Sequence, residues 1–173
     1  MSPRYLILGA GGQVGRELSR VLTAREEPFL KTSRAELNFE QSGAIPKFFA
    51  GLDEKFPDHK FQVILAGAFT HVDGCEEDPA KCDRVNRAAP IEVAEECRKR
   101  GHSVLFYSSE YVFGGAEYRG GRIGPFQEDD PIDPTSNYGV AKAEAEAAIL
   151  AHDPGALVVR TTVVFSWDPS DKN

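Results

Sequence analysis

A short apolar run, RYLILG (4–9), leads without interruption into the glycine-rich stretch GAGGQVG (9–15). Apolar side chains in succession, with no polar alternation, read as a strand buried on both faces. Gly9, Gly12 and Gly15, three residues apart behind it, read as a tight turn that opens a helix. Gly9 permits the turn, Gly12 lets backbone approach a pyrophosphate, and Gly15 lets helix and strand pack closely. The first helical N–H groups, at Gln13 and Val14 among others, then face the anion. The competing interpretation is a glycine-rich turn without a ligand, and the position directly behind a buried strand weighs against it.

Three further runs have the same buried-strand character: FQVILAGA (61–68), HSVLFYSS (102–109) and ALVVRTTVVF (156–165). Helical spacing of apolar positions predicts helices over 12–24, 42–55, 79–100 and 138–151, with Pro79 suited to a first turn and Gly101 to a C-terminal stop. Alternation of this kind predicts an α/β protein, a doubly wound parallel sheet with helices on both faces and its ligand at the strands' carboxyl ends. The chain's 173 residues, 41% of them apolar, suffice for one domain of this size, expected over 1–166 with a polar tail at 167–173. GGAEYRGGRIGPFQEDDPIDPTS (114–136) is expected to be a surface loop beside the site.

Several function classes fall away. A formal net charge of −7 without a stripe of Lys and Arg opposes a phosphate backbone, so no nucleic-acid partner is expected. No apolar stretch is long enough for a membrane span and no secretory pattern stands at the start, so a cytoplasmic location is expected. Cys75, Cys82 and Cys97 are odd in number and form no C-x-x-C pair, so they read as reduced thiols. HVDGC (71–75), read as a loop, offers His71, Asp73 and Cys75 without a distant fourth ligand, so no metal is expected. Phe48, Phe49, Phe56 and Phe61 fall around an amphipathic helix and read as core.

What chemistry remains is carried by a few polar residues. About 20 residues beyond the glycines, LKTSRAEL (30–37) places Lys31, Ser33 and Arg34 where a dinucleotide's adenosine ribose would lie, groups suited to a 2′-phosphate and hence to NADP. Two alternatives stay open there: Arg34 as a solvated loop charge, and Glu36 as the ribose acid of an NAD site. At the head of the fourth helix Tyr138 and Lys142, four apart, share a face. An ammonium beside a phenol stabilises phenolate and is expected to lower its pKa, giving a tuned acid-base. Ser109, at the carboxyl end of a buried strand, is the candidate to hydrogen-bond a substrate oxygen.

In order along the chain, GAGGQVG, AGAFTHVDGCEEDP followed by Val85-Asn86, SSEYVF, YGVAK and VVRTTVVF resemble the extended short-chain dehydrogenase/reductase family, most closely its dTDP-4-dehydrorhamnose reductase branch. The resemblance runs through nearly the whole chain. It implies that Ser109 orients a carbonyl, Tyr138 donates a proton, and Lys142 binds the cofactor ribose and lowers the tyrosine pKa. It further implies that Ala66, Gly67 and Ala68 line the cofactor, that Asn38 and Phe39 lie near its adenine, and that Asn86 supports the site. The substrate so implied is a keto nucleotide sugar, reduced with NADP; a homodimer is left open.

There are departures from the family pattern. Glu110 stands where Asp is usual, and the segment between Ser109 and Tyr138 is longer than usual. The resemblance also implies a C-terminal substrate-binding subdomain beyond VVRTTVVF, most of which these 173 residues lack, so low turnover by this chain is expected. A second family resemblance, to the methionine adenosyltransferase regulatory subunit, would make the chain a non-catalytic NADP-binding protein, and the same scaffold also serves epimerases and dehydratases.

Overall fold

A computed structural model describes residues 4–114 and 125–165. Five strands form one parallel sheet in the order β2-β1-β3-β4-β5: β1 Tyr5–Leu8, β2 Phe29–Thr32, β3 Gln62–Leu65, β4 Ser103–Ser109 and β5 Leu157–Thr161. From β1 the chain goes out to β2 on one side and returns to β3 on the other, so the order reverses between β1 and β3. A crevice opens at such a switch point, outside the strands' carboxyl ends.

The four apolar runs are strands, each shorter at one or both ends than its run. β2 does not stand out among such runs, because FLKT contains only two apolar residues. The helices are α1 Gln13–Ala24, α2 Ala44–Lys55, α3 Val72–Glu77, α4 Pro79–Asp83, α5 Ala89–Arg100 and α6 Asn137–His152. Two expectations are corrected. The helix predicted over 79–100 is divided by a π-helical stretch, Arg84–Ala88, between α4 and α5. HVDGC is not a loop: His71 caps α3 by accepting from Gly74 N at 2.9 Å, and the rest of the motif is helical. Gly101 ends α5 with φ of 69°.

Alternation along the strands divides the core. Leu6, Leu8, Val63, Leu65, Val104 and Phe106 face α2, α5 and α6, where Phe49, Val93, Cys97 and Ile149 complete the larger cluster. Ile7 and Ile64 face the other way, against Leu22 and Leu18 of α1. Phe49 and Phe61 are buried, as predicted. Each such side chain contributes about 1.5–3 kcal/mol on leaving water. Helices therefore cover both faces, and both hold the β1 and β3 ends that the glycine turn crosses.

Gly15 fixes how closely α1 approaches that turn. A Cβ there would lie 2.4 Å from the Gly9 carbonyl oxygen and 2.6 Å from Ala10 Cα. Both are backbone atoms, so relief requires the helix to move. Gly15→Ala is expected to cost about 1–3 kcal/mol of stability, read as a lower midpoint in urea unfolding. An unchanged midpoint would show that the turn has slack.

Candidate functional site

The glycine turn, the ends of β3 and β4 and the start of α6 meet at the carboxyl edge. Gly9 has φ of 90°, and a Cβ on it would lie 2.4 Å from Gly67 Cα. Ala66 N donates to Leu8 O at 2.9 Å, drawing the segment of Ala66, Gly67 and Ala68 against β1. Phe39 is buried with its ring against Gly67, so this candidate adenine-side residue does meet the candidate cofactor wall. At Gly12 the nearest atom a Cβ would meet is the Gly9 oxygen at 3.7 Å, which leaves room above the turn. Gly12 is also the N-cap of α1, without a side-chain cap and without an acid in the first turn. Those features, together with the room at Gly12, fit a bound pyrophosphate over Gln13, Val14 and Gly15.

At the end of β2 the candidate phosphate ligands have carboxylate partners. Ser33 N and Oγ both donate to Glu36 Oε2, at 2.7 and 2.8 Å. These bonds from Ser33 hold the exposed Glu36 carboxyl below its usual pKa. Arg34, mostly exposed, pairs with Glu40, which Lys81 also approaches at 3.3 Å. Arg34 is thus a solvated charge with an ion-pair partner. Asn38 Oδ1 accepts from Glu40 N at 3.0 Å and shapes the same turn.

Ser109, Tyr138 and Lys142 come together in a buried group. Ser136 caps α6 by accepting from Gly139 N at 3.1 Å, and Asn137 binds Glu76 through its backbone N and its Nδ2 at 2.8 and 2.7 Å. Gly139 lets α6 close on the turn after β4: a Cβ there would lie 2.2 Å from Tyr111 O. Tyr138 is consequently 7% exposed, edge-on to Tyr111 at 5.7 Å and hydrogen-bonded to the Ser109 side chain. Burial pushes its pKa up to about 12, and the Ser109 bond offsets only part of this.

Lys142 departs from expectation. It shares the helix face with Tyr138, but its Nζ donates to Tyr107 O at 2.8 Å and lies 4.5 Å from the centre of the Phe106 ring. It sits 6.0 Å from the Tyr138 ring centre. The phenol is therefore not drawn down: burial raises it, the Ser109 bond opposes this in part, and the ammonium points at the sheet. Burial also lowers Lys142 itself, to about 8.

Asn86, fully buried in the π-helical stretch, binds Phe69 twice: Phe69 N donates to Oδ1 and Nδ2 donates to Phe69 O, both at 2.9 Å. It thereby fixes the segment that follows Ala66, Gly67 and Ala68. The same Nδ2 reaches Cys75 Sγ at 3.7 Å and Cys82 Sγ at 3.5 Å, and these free thiols pack under Tyr138. The resemblance pointed to Asn86 as a support, but sequence reasoning missed the two thiols beneath it, and it missed Glu146, which lies one turn beyond Lys142 and is buried. The four-residue spacing of Tyr138, Lys142 and Glu146 was the available signal. Glu110 Oε2 is buried without a hydrogen-bond partner among the described residues. Also among the described residues, no group of His, Cys, Asp and Glu is placed to hold a metal ion, and no helix is long and apolar enough to cross a membrane. The predicted 114–136 loop falls partly, and the 167–173 tail entirely, outside the described residues.

Residues 3–173 match the family model described as the RmlD substrate binding domain. The chain belongs to that family. Among its relatives, a dTDP-4-dehydrorhamnose reductase of Mycolicibacterium smegmatis is 33% identical over 172 residues, covering 99% of this chain and 49% of the relative. A crystal structure of the same-named reductase from Clostridium acetobutylicum, 32% identical, superposes with a TM-score of 0.78 over 91% of this chain and 52% of that one. One from Bacillus anthracis, in complex with NADP and 23% identical, shares the fold with a TM-score of 0.79, over 94% of this chain and 54% of that one. The chain thus spans about half the length of the RmlD relatives it matches.

Proposed function

We propose that this chain carries the cofactor site and the proton-transfer group of an NADP-dependent reductase acting on a keto nucleotide sugar. The observation that carries the proposal is the convergence of Ser109, Tyr138 and Lys142 on the same carboxyl edge of the sheet as the N-terminus of α1, which has no side-chain cap. The names of the 33% and 32% identical relatives support a dTDP-linked 4-keto sugar as the substrate class.

A bound nicotinamide cofactor supplies the hydride. Gly12 leaves space for its pyrophosphate, Gly9 and Gly15 let the turn pack closely against β3 and α1, and the first turn of α1 lies beneath. The wall of Ala66, Gly67 and Ala68, held by Asn86 through Phe69, and the ring of Phe39 line the adenosine side. Ser109 donates a hydrogen bond to the substrate carbonyl, and Tyr138 gives its proton to the oxygen as negative charge develops there. A pKa near 12 leaves the phenol fully protonated at neutral pH, the form a donor needs. Lys142, which donates to the Tyr107 carbonyl here, would hold the nicotinamide ribose of a bound cofactor.

Lys31, with Ser33 and Arg34 once Glu36 and Glu40 yield them, favours a 2′-phosphate, so NADPH is expected to bind more tightly than NADH. Glu36→Gln should widen that preference, because it removes a negative charge beside the phosphate and weakens the charge-assisted bonds that hold Ser33. Calorimetric titration with both cofactors measures the preference; equal affinities in the native chain, or NADH preferred, would contradict it. Consumption of NADPH on adding dTDP-4-dehydrorhamnose tests the reaction, and stable NADPH binding with no consumption by the protein containing this chain would favour a regulatory role.

A further inference from the structure

We propose that Glu146 is a positioning residue for Lys142: its buried carboxylate, fixed by Arg160, is the counter-charge that keeps the Lys142 ammonium protonated inside the sheet-helix interface. Three observations carry this inference. Glu146 and Lys142 are each only 2% exposed and lie one turn apart on α6. An isolated buried carboxylate costs several kcal/mol, so a partner is required. Arg160 of β5 provides one: its Nε lies 3.1 Å from both Glu146 oxygens, and its Nη2 lies 2.7 Å from Oε2.

Arg160 is itself anchored. Its Nη1 donates to Glu128 O at 2.9 Å, and its guanidinium lies 5.0 Å from the centre of the Phe113 ring. Phe113 in turn stacks on Phe126 at 4.6 Å. The carboxylate is thus held from the β5 side, while its helix neighbour one turn back projects toward β4.

Around Lys142 the polar surroundings are sparse. From its own helix come Tyr138 and Glu146, from α4 comes the Cys82 thiol, and from β4 come the Tyr107 carbonyl and the Phe106 ring. Among the described residues, Glu146 is the one carboxylate in this set. Desolvation brings the lysine down to about 8 even with Glu146 acting against it, which leaves a margin of about one pH unit above neutrality. Removing the carboxylate would erase that margin, and a neutral amine is a poor donor to a ribose hydroxyl. An ion pair that only stapled α6 to β5 would leave the lysine's titration unchanged.

The test follows the Lys142 side chain by NMR in this chain without cofactor, from about pH 6 to about pH 10. Glu146→Gln keeps the shape and an acceptor for Arg160, and is expected to lower the Lys142 midpoint by about one unit or more. Should that variant melt out, Glu146→Gln with Arg160→Met removes both charges together, leaves no orphaned guanidinium, and is expected to lower the midpoint likewise. Glu146→Asp, which retains the charge, should restore most of the native value. A native-like midpoint in a folded Glu146→Gln or double variant overturns the proposal.

A second measurement rests on the proposed role of Lys142 at the cofactor ribose. NADPH affinity should begin to fall about one pH unit earlier in Glu146→Gln than in the native chain. If the NMR midpoint moves and the affinity profile does not, Glu146 is confirmed as the counter-charge and the ribose role of Lys142 is the part that fails.

Discussion

Replacing Tyr138 by phenylalanine is expected to slow reduction of the keto sugar by on the order of 10²-fold or more, the usual contribution of a positioned general acid. NADPH affinity should stay within about twofold of native, because the substitution removes one hydroxyl and leaves the ring against Tyr111. The lost hydroxyl has one identified neighbour, the Ser109 side chain, which keeps its bond from Tyr111 N at 3.3 Å. Folding should therefore be little affected. Rapid-mixing single-turnover measurements on the native protein containing these residues separate the chemical step from binding, and thermal melts check the fold. Parental single-turnover rates in Tyr138→Phe would remove the phenol from the reaction.

The parts of this site that were legible in the sequence depend on backbone geometry. Gly9 and Gly15 fall where a side chain would strike the backbone, and the apolar strand before them with the helix after them leaves only one place for such a turn. Tyr138 and Lys142 were placed on one face by helical periodicity alone. Periodicity says nothing about where a long side chain points. The Lys142 stem could have carried its charge toward the phenol, and it goes instead to the Tyr107 carbonyl, because a buried ammonium must find an acceptor and the sheet edge offers one. The depressed tyrosine pKa expected from spacing is absent as well: spacing registers neither where the ammonium points nor the burial that raises the phenol.

Other features depended on contacts distant in sequence. The π-helical stretch at Arg84–Ala88 lies inside an apolar pattern that looks continuous, and its consequence, Asn86 clamping Phe69, joins residues 17 positions apart. The carboxylates facing Ser33 and Arg34 were visible as letters, yet only the folded turn pairs them. The strand Phe29–Thr32 was hard to recognise because Lys31 is exposed and just one of its four residues is buried. Fold class was legible because it needs only the alternation of elements, whereas the site's electrostatics needed coordinates.

Lys142→Met is expected to separate stability from function. The native lysine is held at about 8 against an ordinary value of 10.5, a depression of about 2.5 units, so its charged form is disfavoured in the folded chain. Below about pH 8 the group is charged in both folded and unfolded chains, and the native state bears the full penalty, on the order of 3 kcal/mol. Between about 8 and 10.5 the unfolded chain holds more protons than the folded one, so the penalty is relieved and native stability rises through that window. Methionine fills a similar volume without charge. It leaves the Tyr107 carbonyl without its donor, at about 1–3 kcal/mol, and leaves Glu146 paired with Arg160. The two effects nearly balance, so at pH 7 the melting temperature should be at or above the native value, and the variant's advantage should shrink as pH rises above about 8. NADPH affinity should fall by about 10- to 100-fold, the equivalent of one charge-assisted hydrogen bond. Calorimetric melts at several pH values, with cofactor titration at pH 7, test both halves. A strong loss of stability at neutral pH would mean that Lys142 serves the fold. Undiminished NADPH affinity in a folded variant would mean that the ammonium does not reach the cofactor.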